Sequence, residues 1–564
     1  MRPPHMMKGL GFISAMKEIE PSYVVPHPTT FTRTYVPEAY QEAKKWVMRK
    51  LEDSIHLTLS TDLWTDNFRK IPYIAIVAHF ISSKWKCERF ALLTRAFVNE
   101  HTGENIKRDL LSAVEEFNIA NIDETPTIVC DQGSNVLLAA KLMRWYQINC
   151  AAHVFHLIIV TDGFKRIPAL MLMLKKCQEI ALFLQFKSAQ VSSAQEELRF
   201  ILENMPPEFT DHCYFEDLDM DMSTSSVKKD NVTRWNSKCV MIESILANRA
   251  VIRRLLLKYN KIELLLSHGE IYFLKRLLKC LMPFRKCTEI LQGDKYPTIS
   301  LVLPMLELLS QEEDNEEDGE EDLDLERGEL LLLKADLLIL KENMKSSIER
   351  RFRRAENPVY VLATSLDIRW KGTSSFITNP DEFKTAIENF DRALKQRMTT
   401  MRTTTNQRPT HFNRQEHPQE SLSSAQSASS VSSRNTKKSS KVAALLGGLL
   451  DSRSLPFEND ALKKEIALYK STPLISKNDL DSFDLLNWWK VRQDQFPLLS
   501  VVARKVLGIP ATSACCERIF SKGGNIVSSL RANISPHNVD MTIFIAFNTQ
   551  GQGIPNSIQT VNGD

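Results

Sequence analysis

The sequence predicts an α/β fold in which one sheet-forming segment is followed by a long all-helical stretch and a compact helical C-terminal block. Three observations carry this. Residues 55–165 alternate short β-branched and aromatic runs with amphipathic helical patterns. Residues 166–397 hold long runs at helical spacing, such as IPALMLMLKKCQEIALFLQF and ANRAVIRRLLLKYNKIELLL. The last segment is apolar at near-helical spacing and closes on VDMTIFIAFN.

Within the first segment HLTLSTDLW, YIAIVAHFIS, CERFALLTRAF, TIVCD and INCAAH read as strands. GENIKRDLLSAVEEFNI reads as a helix between the third and fourth, and VFHLIIVTDGF as a helix after the fifth. At 564 residues the chain is too long for one core, and a length prior of ~150 residues per domain asks for three or four. With 72 Lys+Arg against 69 Asp+Glu the net charge is +3, so composition does not advertise nucleic acid. A hydrophobic share of 43% excludes a wholly disordered chain. No apolar run approaches the ~18 residues of a membrane span, and the start lacks the layout of a secretory signal. The 10 cysteines include no CxxC pair, which argues against a disulfide framework or a paired zinc knuckle.

Two composition breaks divide the chain. The run EEDNEEDGEEDLDLE, an acidic loop assigned to 311–326, reads as solvated. The Ser/Thr/Gln-rich stretch 398–445 cannot bury enough apolar surface to offset its ordering entropy and reads as a disordered linker. The basic residues Arg350, Arg351, Arg353 and Arg354 are too few to read as an import signal alone.

Asp62 and Asp131 fall where the first and fourth strands end. In a β-β-β-α-β sheet of ribonuclease H type these strands are neighbours, so the two carboxylates would meet at one edge. A pair of hard Mg²⁺ ions prefers such oxygen ligands and needs a third carboxylate, normally from a late helix. The alternative is that both aspartates are turn or cap residues.

Five motifs in chain order carry a resemblance: STDLWTDNFRKIPYIAIVAHFI, VCDQGSN, CAAHVFHL, NVTRWNSKCVMIESIL, and the block from WWKVRQDQFPLL through SACCERIFSKGG to VDMTIFIAFN. Together they resemble the hAT (hobo/Ac/Tam3) transposase superfamily, in particular its BED zinc-finger branch. The resemblance implies a ribonuclease H-like domain over 51–165, interrupted by an all-α insertion over 166–397. Its last helix and a C-terminal dimerisation region then fall within 446–564.

The same resemblance assigns roles. Asp62 and Asp131 match the first two metal-binding aspartates, and Glu517 matches the glutamate that completes the triad, holding Mg²⁺ if the protein is active. Cys150 and His153 match a CxxH element beside the catalytic sheet. With His156 this spells CxxHxxH, but a fourth ligand is lacking nearby, so a supporting role is expected and zinc is not. Arg234 and Trp235 match an Arg-Trp pair that handles the DNA end; packing inside the helical region is the equal alternative. Trp488, Trp489, Leu498, Leu499, Ile519, Phe520 and Phe544 lie in the block that resembles the dimerisation region, with intramolecular core as their other use.

The sequence departs from the family pattern in two places. Residues 1–50 resemble the segment that follows a BED finger, yet MRPPHMMKGLGF holds neither the paired cysteines nor the paired histidines of such a finger. Cys515 and Cys516 stand where relatives have a small residue or Pro followed by Ser. The resemblance therefore implies a nuclear homodimer, or heterodimer with related hAT proteins. Its DNA binding is expected to be weak and its role regulatory; an active transposase and a protein scaffold without DNA binding remain the alternatives. No membrane partner is expected.

Overall fold

The computed structural model describes residues 4–66, 68–97, 99–119, 124–204, 226–230, 235–311, 327–352, 358–405, 457–527 and 534–549. The acidic run 312–326 and the segment 406–445 lie outside the described residues, as does Arg234.

Five strands form one sheet: β1 (Thr58–Thr65), β2 (Pro72–Ile81), β3 (Cys87–Ala96), β4 (Thr127–Cys130) and β5 (Tyr146–Asn149). Their order is β3-β2-β1-β4-β5. The β1–β2 and β2–β3 pairs are antiparallel, whereas β1–β4 and β4–β5 are parallel. Parallel pairing requires crossovers, and α1 (Gly103–Glu116) and α2 (Ser134–Met143) supply them. Thr102 caps α1 by accepting the Asn105 N–H.

β2 is buried on both faces, which is why PYIAIVAHFI is a continuous apolar run. Ile74, Ile76, Ala78 and Phe80 face one core, with Leu110 and Ala113 of α1 and Ala139 and Met143 of α2. Tyr73, Ala75 and Val77 face the other. That second face is covered from far along the chain by α9 (Ala514–Ile526) and α10 (Pro536–Asn548). A third, larger core joins the long helices to the C-terminal block.

Edge strand β3 is protected by α10. Asn548 donates to the Ala91 carbonyl and accepts the Ala91 N–H, both at 2.9 Å, and Asp540 accepts the Thr94 N–H at 2.6 Å. These bonds occupy backbone groups that would otherwise template pairing with another chain.

Three sequence expectations need correction. INCAAH is not a strand throughout: β5 stops at Asn149, and Cys150 opens helix α3 (Ala151–His156) after its N–H bonds the Cys130 carbonyl at 2.8 Å. The run 247–266 is not one helix. It ends at Lys258, where Asn260 adopts a left-handed φ of 53°, and a short 3₁₀ turn follows. Helix α6 (Pro380–Thr405) also continues past the boundary drawn at 398. IPALMLMLKKCQEIALFLQF forms helix α4 (Pro168–Leu184) as its spacing predicts.

Candidate functional site

Strand register brings the first two acidic residues together. β1 and β4 pair with Ser60 opposite Val129, so continuing that register sets Asp62 level with Asp131 at the end of β4. Both carboxylates also bond locally. Asp62 Oδ1 accepts the Leu63 N–H at 2.9 Å, and Asp131 Oδ1 accepts the Gly133 N–H at 3.1 Å. The second bond turns the chain into α2. A Cβ at Gly133 would lie 3.1 Å from Asp131 Oδ1, so a larger residue would press on this turn.

Alternation along β1 puts Ser60, Asp62 and Trp64 on one face. α9, which carries Glu517 in its first turn, covers that face. Trp64 stacks on Phe520 with ring centroids 5.7 Å apart. Ser60 Oγ lies 3.2 Å from Cys515 Sγ, 3.4 Å from Cys516 Sγ and 2.9 Å from His79 Nε2. His79 Nε2 is in turn 3.3 Å from Cys515 Sγ. Cys515 and Cys516 are thus the polar lock that seats the Glu517 helix. Burial, Cys515 and the Asp62 charge push the Cys516 thiol well above its ordinary range. Sequence reasoning missed Ser60 and His79, although the strand alternation already put Ser60 beside Asp62.

Cys150 joins the same junction. Its sulfur accepts the Ser513 N–H at 3.4 Å, while the Ala151 N–H bonds the Ala511 carbonyl at 2.9 Å. Burial pushes the Cys150 thiol up; Ser513 opposes this and the Glu517 charge adds to it. Cys150 therefore supports the start of α9, whereas His153 is exposed. The His153 and His156 rings are 6.2 Å apart.

The fold gathers Asp62, Asp131 and Glu517 onto adjoining elements. Among the described residues no group of three or more His, Cys, Asp or Glu could hold a metal ion.

Trp235 opens helix α5 (Asn236–Ala247) and is only 3% exposed, within the largest core. In this arrangement its ring packs against protein and presents no face to a base. The basic cluster has a structural task. Arg350 and Arg351 both bond the buried Asp162 carboxylate at 2.8 Å, and Ser347 donates to it at 2.6 Å. Arg353 and Arg354 lie outside the described residues.

The C-terminal block is folded mainly onto its own chain. Trp488, Trp489, Leu499, Ile519, Phe520 and Phe544 are all buried. Of the residues assigned to dimerisation only Leu498 is open, at 39% exposure. Large aromatic groups go inward because they find rings to pack on: Trp489 lies 5.5 Å from Tyr469, and Phe544 lies 4.9 Å from Tyr40. Helices α7 (Phe457–Ser471) and α8 (Pro497–Leu507) are tied together by Glu465, which accepts the Leu498 and Leu499 N–H groups. Leu468 on α7 and Leu498 and Val501 on α8 stay exposed. Sequence reasoning missed Leu468 and Val501.

Residues 60–146 match the ZBED1 RNase-like domain, and residues 465–549 match the hAT family C-terminal dimerisation region. The chain is 22% identical to the AC transposase of Zea mays over 94% of this chain and 61% of that protein. It is 20% identical to zinc finger BED domain-containing protein 4 of Homo sapiens, over 97% of this chain and 42% of that one. It is also 21% identical to the transcriptional regulator tpeD of Talaromyces stipitatus, over 90% and 55%. The chain thus spans roughly half of each relative's length. It carries a ZBED1-type RNase-like domain followed by a hAT C-terminal dimerisation region, and its homologues are the hAT transposases and the ZBED proteins.

Proposed function

We propose that the chain is a transposase-derived nuclear protein that dimerises through residues 465–549 and binds DNA or chromatin in transcriptional regulation. One observation carries the reading. The segment that matches the hAT dimerisation region buries its large aromatics internally, yet leaves Leu498 and Val501 at 39% and 44% exposure on α8. Leu468, at 45%, stands on α7, which Glu465 ties to α8. Apolar side chains left out by a filled core are what a second subunit covers. The same match supports pairing with related hAT chains. The relatives' names support the DNA and regulatory part, and the nuclear assignment follows from it.

Leu498→Asp with Val501→Asp is expected to give a folded monomer by light scattering, with helical circular dichroism retained. A double variant that remained dimeric would contradict the assignment. These substitutions test the surface better than truncation before Trp488, because Trp489 belongs to the chain's own core.

The register that sets Asp62 level with Asp131 favours a second reading, DNA strand cleavage that depends on Asp62, Asp131 and Glu517. Nicking of supercoiled DNA with Mg²⁺ or Mn²⁺ separates the two. The regulatory reading expects the wild type and Asp131→Ala to behave alike. Metal-dependent nicking lost in Asp131→Ala would establish the second.

A further inference from the structure

A cleft beside the Glu517 helix gathers cations that the site described above does not use. It is lined by Arg89 of β3, by Asp294 in the 292–298 segment, and by Arg518 of α9, with Glu88 at its wall. Arg89 and Arg518 share one carboxylate: Arg89 pairs with Asp294, and Arg518 Nη2 lies 3.2 Å from the same oxygen. Arg518 Nη1 donates to the Gln292 carbonyl at 3.1 Å, while its Nε is a buried donor with no hydrogen-bond acceptor among the described residues. Lys522 follows one helical turn after Arg518, on the same face of α9. Its ammonium lies 5.2 Å from the Phe547 ring centroid, and the Arg89 guanidinium lies 5.8 Å from that same ring.

Two cations, Arg89 and Lys522, are therefore held over one half-buried ring, and a third, Arg518, shares the Asp294 counter-ion with Arg89. Burial lowers the pKa of Arg89, and the Arg518 charge lowers it further. Burial likewise lowers Lys522, with Arg89 adding to it. Such crowding of like charge is unfavourable in the free protein, and an anion relieves it. Two guanidinium groups present forked donors that suit phosphate oxygens, and an aromatic ring flanked by cations accepts a sugar or base edge.

The geometry points to a phosphodiester-binding surface formed by Arg89 and Lys522 over Phe547 together with Arg518, whose ligand is the backbone of a nucleic acid. It rests on the DNA-binding reading above and adds the contact surface. Asp294 acts as the internal competitor for that phosphate. The position is distinct from Trp235, which is buried, and from the exposed α8 strip assigned to the second subunit.

The test is fluorescence anisotropy of the full chain with a fluorescein-labelled mixed-sequence duplex across a salt series. Arg89→Gln/Arg518→Gln/Lys522→Gln is expected to weaken binding at least tenfold near 0.1 M salt, and to flatten the log K against log salt slope by about 2 to 3. Asp294→Asn is expected to act in the opposite direction and tighten binding, which a merely structural role for these residues would not produce. Helical circular dichroism of the triple variant that matches the wild type serves as the folding control. Wild-type binding that the triple variant matches in affinity and slope overturns this surface and leaves the DNA-binding reading standing. No binding by the wild type even at low salt overturns both. A triple variant that becomes monomeric in light scattering would assign the cleft to the subunit interface instead, and also overturns the proposal.

Discussion

Replacing Trp489 with alanine is expected to cost about 3–5 kcal/mol through the lost ring alone. The side chain is fully buried. It stacks on Tyr469 at 5.5 Å with an interplanar angle of 16°, and on Trp85 at 6.3 Å with 6°. Its Nε1 donates to the Leu366 carbonyl at 3.0 Å, so truncation also orphans a buried acceptor, which adds roughly 1–3 kcal/mol. Trp85 sits in the β2–β3 turn, Leu366 beside the helical region and Tyr469 on α7. One ring therefore bonds three parts of the molecule. The check is the urea midpoint followed by tyrosine and tryptophan fluorescence. Trp489→Phe should lose clearly less than Trp489→Ala, and a loss below about 1 kcal/mol for alanine would contradict this account.

The second large effect is electrostatic. Lys505 on α8 donates to Glu124 at 2.5 Å and reaches Asp391 at 3.4 Å, while His56 Nδ1 lies 3.4 Å from the other Glu124 oxygen. Lys505→Met removes one partner of a nearly enclosed pair and leaves Glu124 charged in a low-dielectric setting. Breaking such a pair typically costs about 3–5 kcal/mol. Lys505→Met combined with Glu124→Gln should recover much of that loss, because the carboxylate left without Lys505, Asp391, is partly open to solvent. The pH dependence gives an independent sign. Burial would raise the Glu124 carboxyl, but His56 and Lys505 hold it below its ordinary range. Its contribution in the wild type is therefore present above the ordinary carboxylate range and lost as pH falls through the depressed value. Without Lys505 the raising effect of burial is left less opposed. Acidification should then cost the variant less than it costs the wild type, and an unchanged acid response would contradict the assignment.

The sequence makes the sheet legible because strand patterns depend on nearest neighbours. HLTLSTDLW and TIVCD report their own alternation and burial, and the β-β-β-α-β order makes β1 and β4 adjacent. Asp62 and Asp131 follow from that order. The seating of Glu517 is less legible, since it depends on Ser60 and His79 meeting Cys515 across |i−j| values of 455 and 436. An apolar stripe tells that a helix face is covered and not what covers it. Trp488, Trp489 and Phe544 accordingly went into their own chain, while Leu498 and Val501, less prominent in the sequence, stayed outside. The sequence pointed to no structural partner for Arg350 and Arg351 because Asp162 lies far upstream. The INCAAH boundary failed for a local reason: two small residues after Cys150 suit a helix as well as a strand.

The face of the sheet formed by Tyr73, Ala75 and Val77 is roofed by Cys515, Ile519, Phe520 and Ile543. During synthesis that roof leaves the ribosome only after almost the whole chain has been made. At a typical elongation rate of ~5–20 residues per second, the naked face waits for tens of seconds. Through most of its translation the nascent protein thus exposes the kind of apolar face that chaperones bind. A message interrupted anywhere before α9 leaves a product with a sticky, half-finished sheet that quality control removes. Early stop codons should therefore behave as complete losses of the protein, even where they spare the whole RNase-like match.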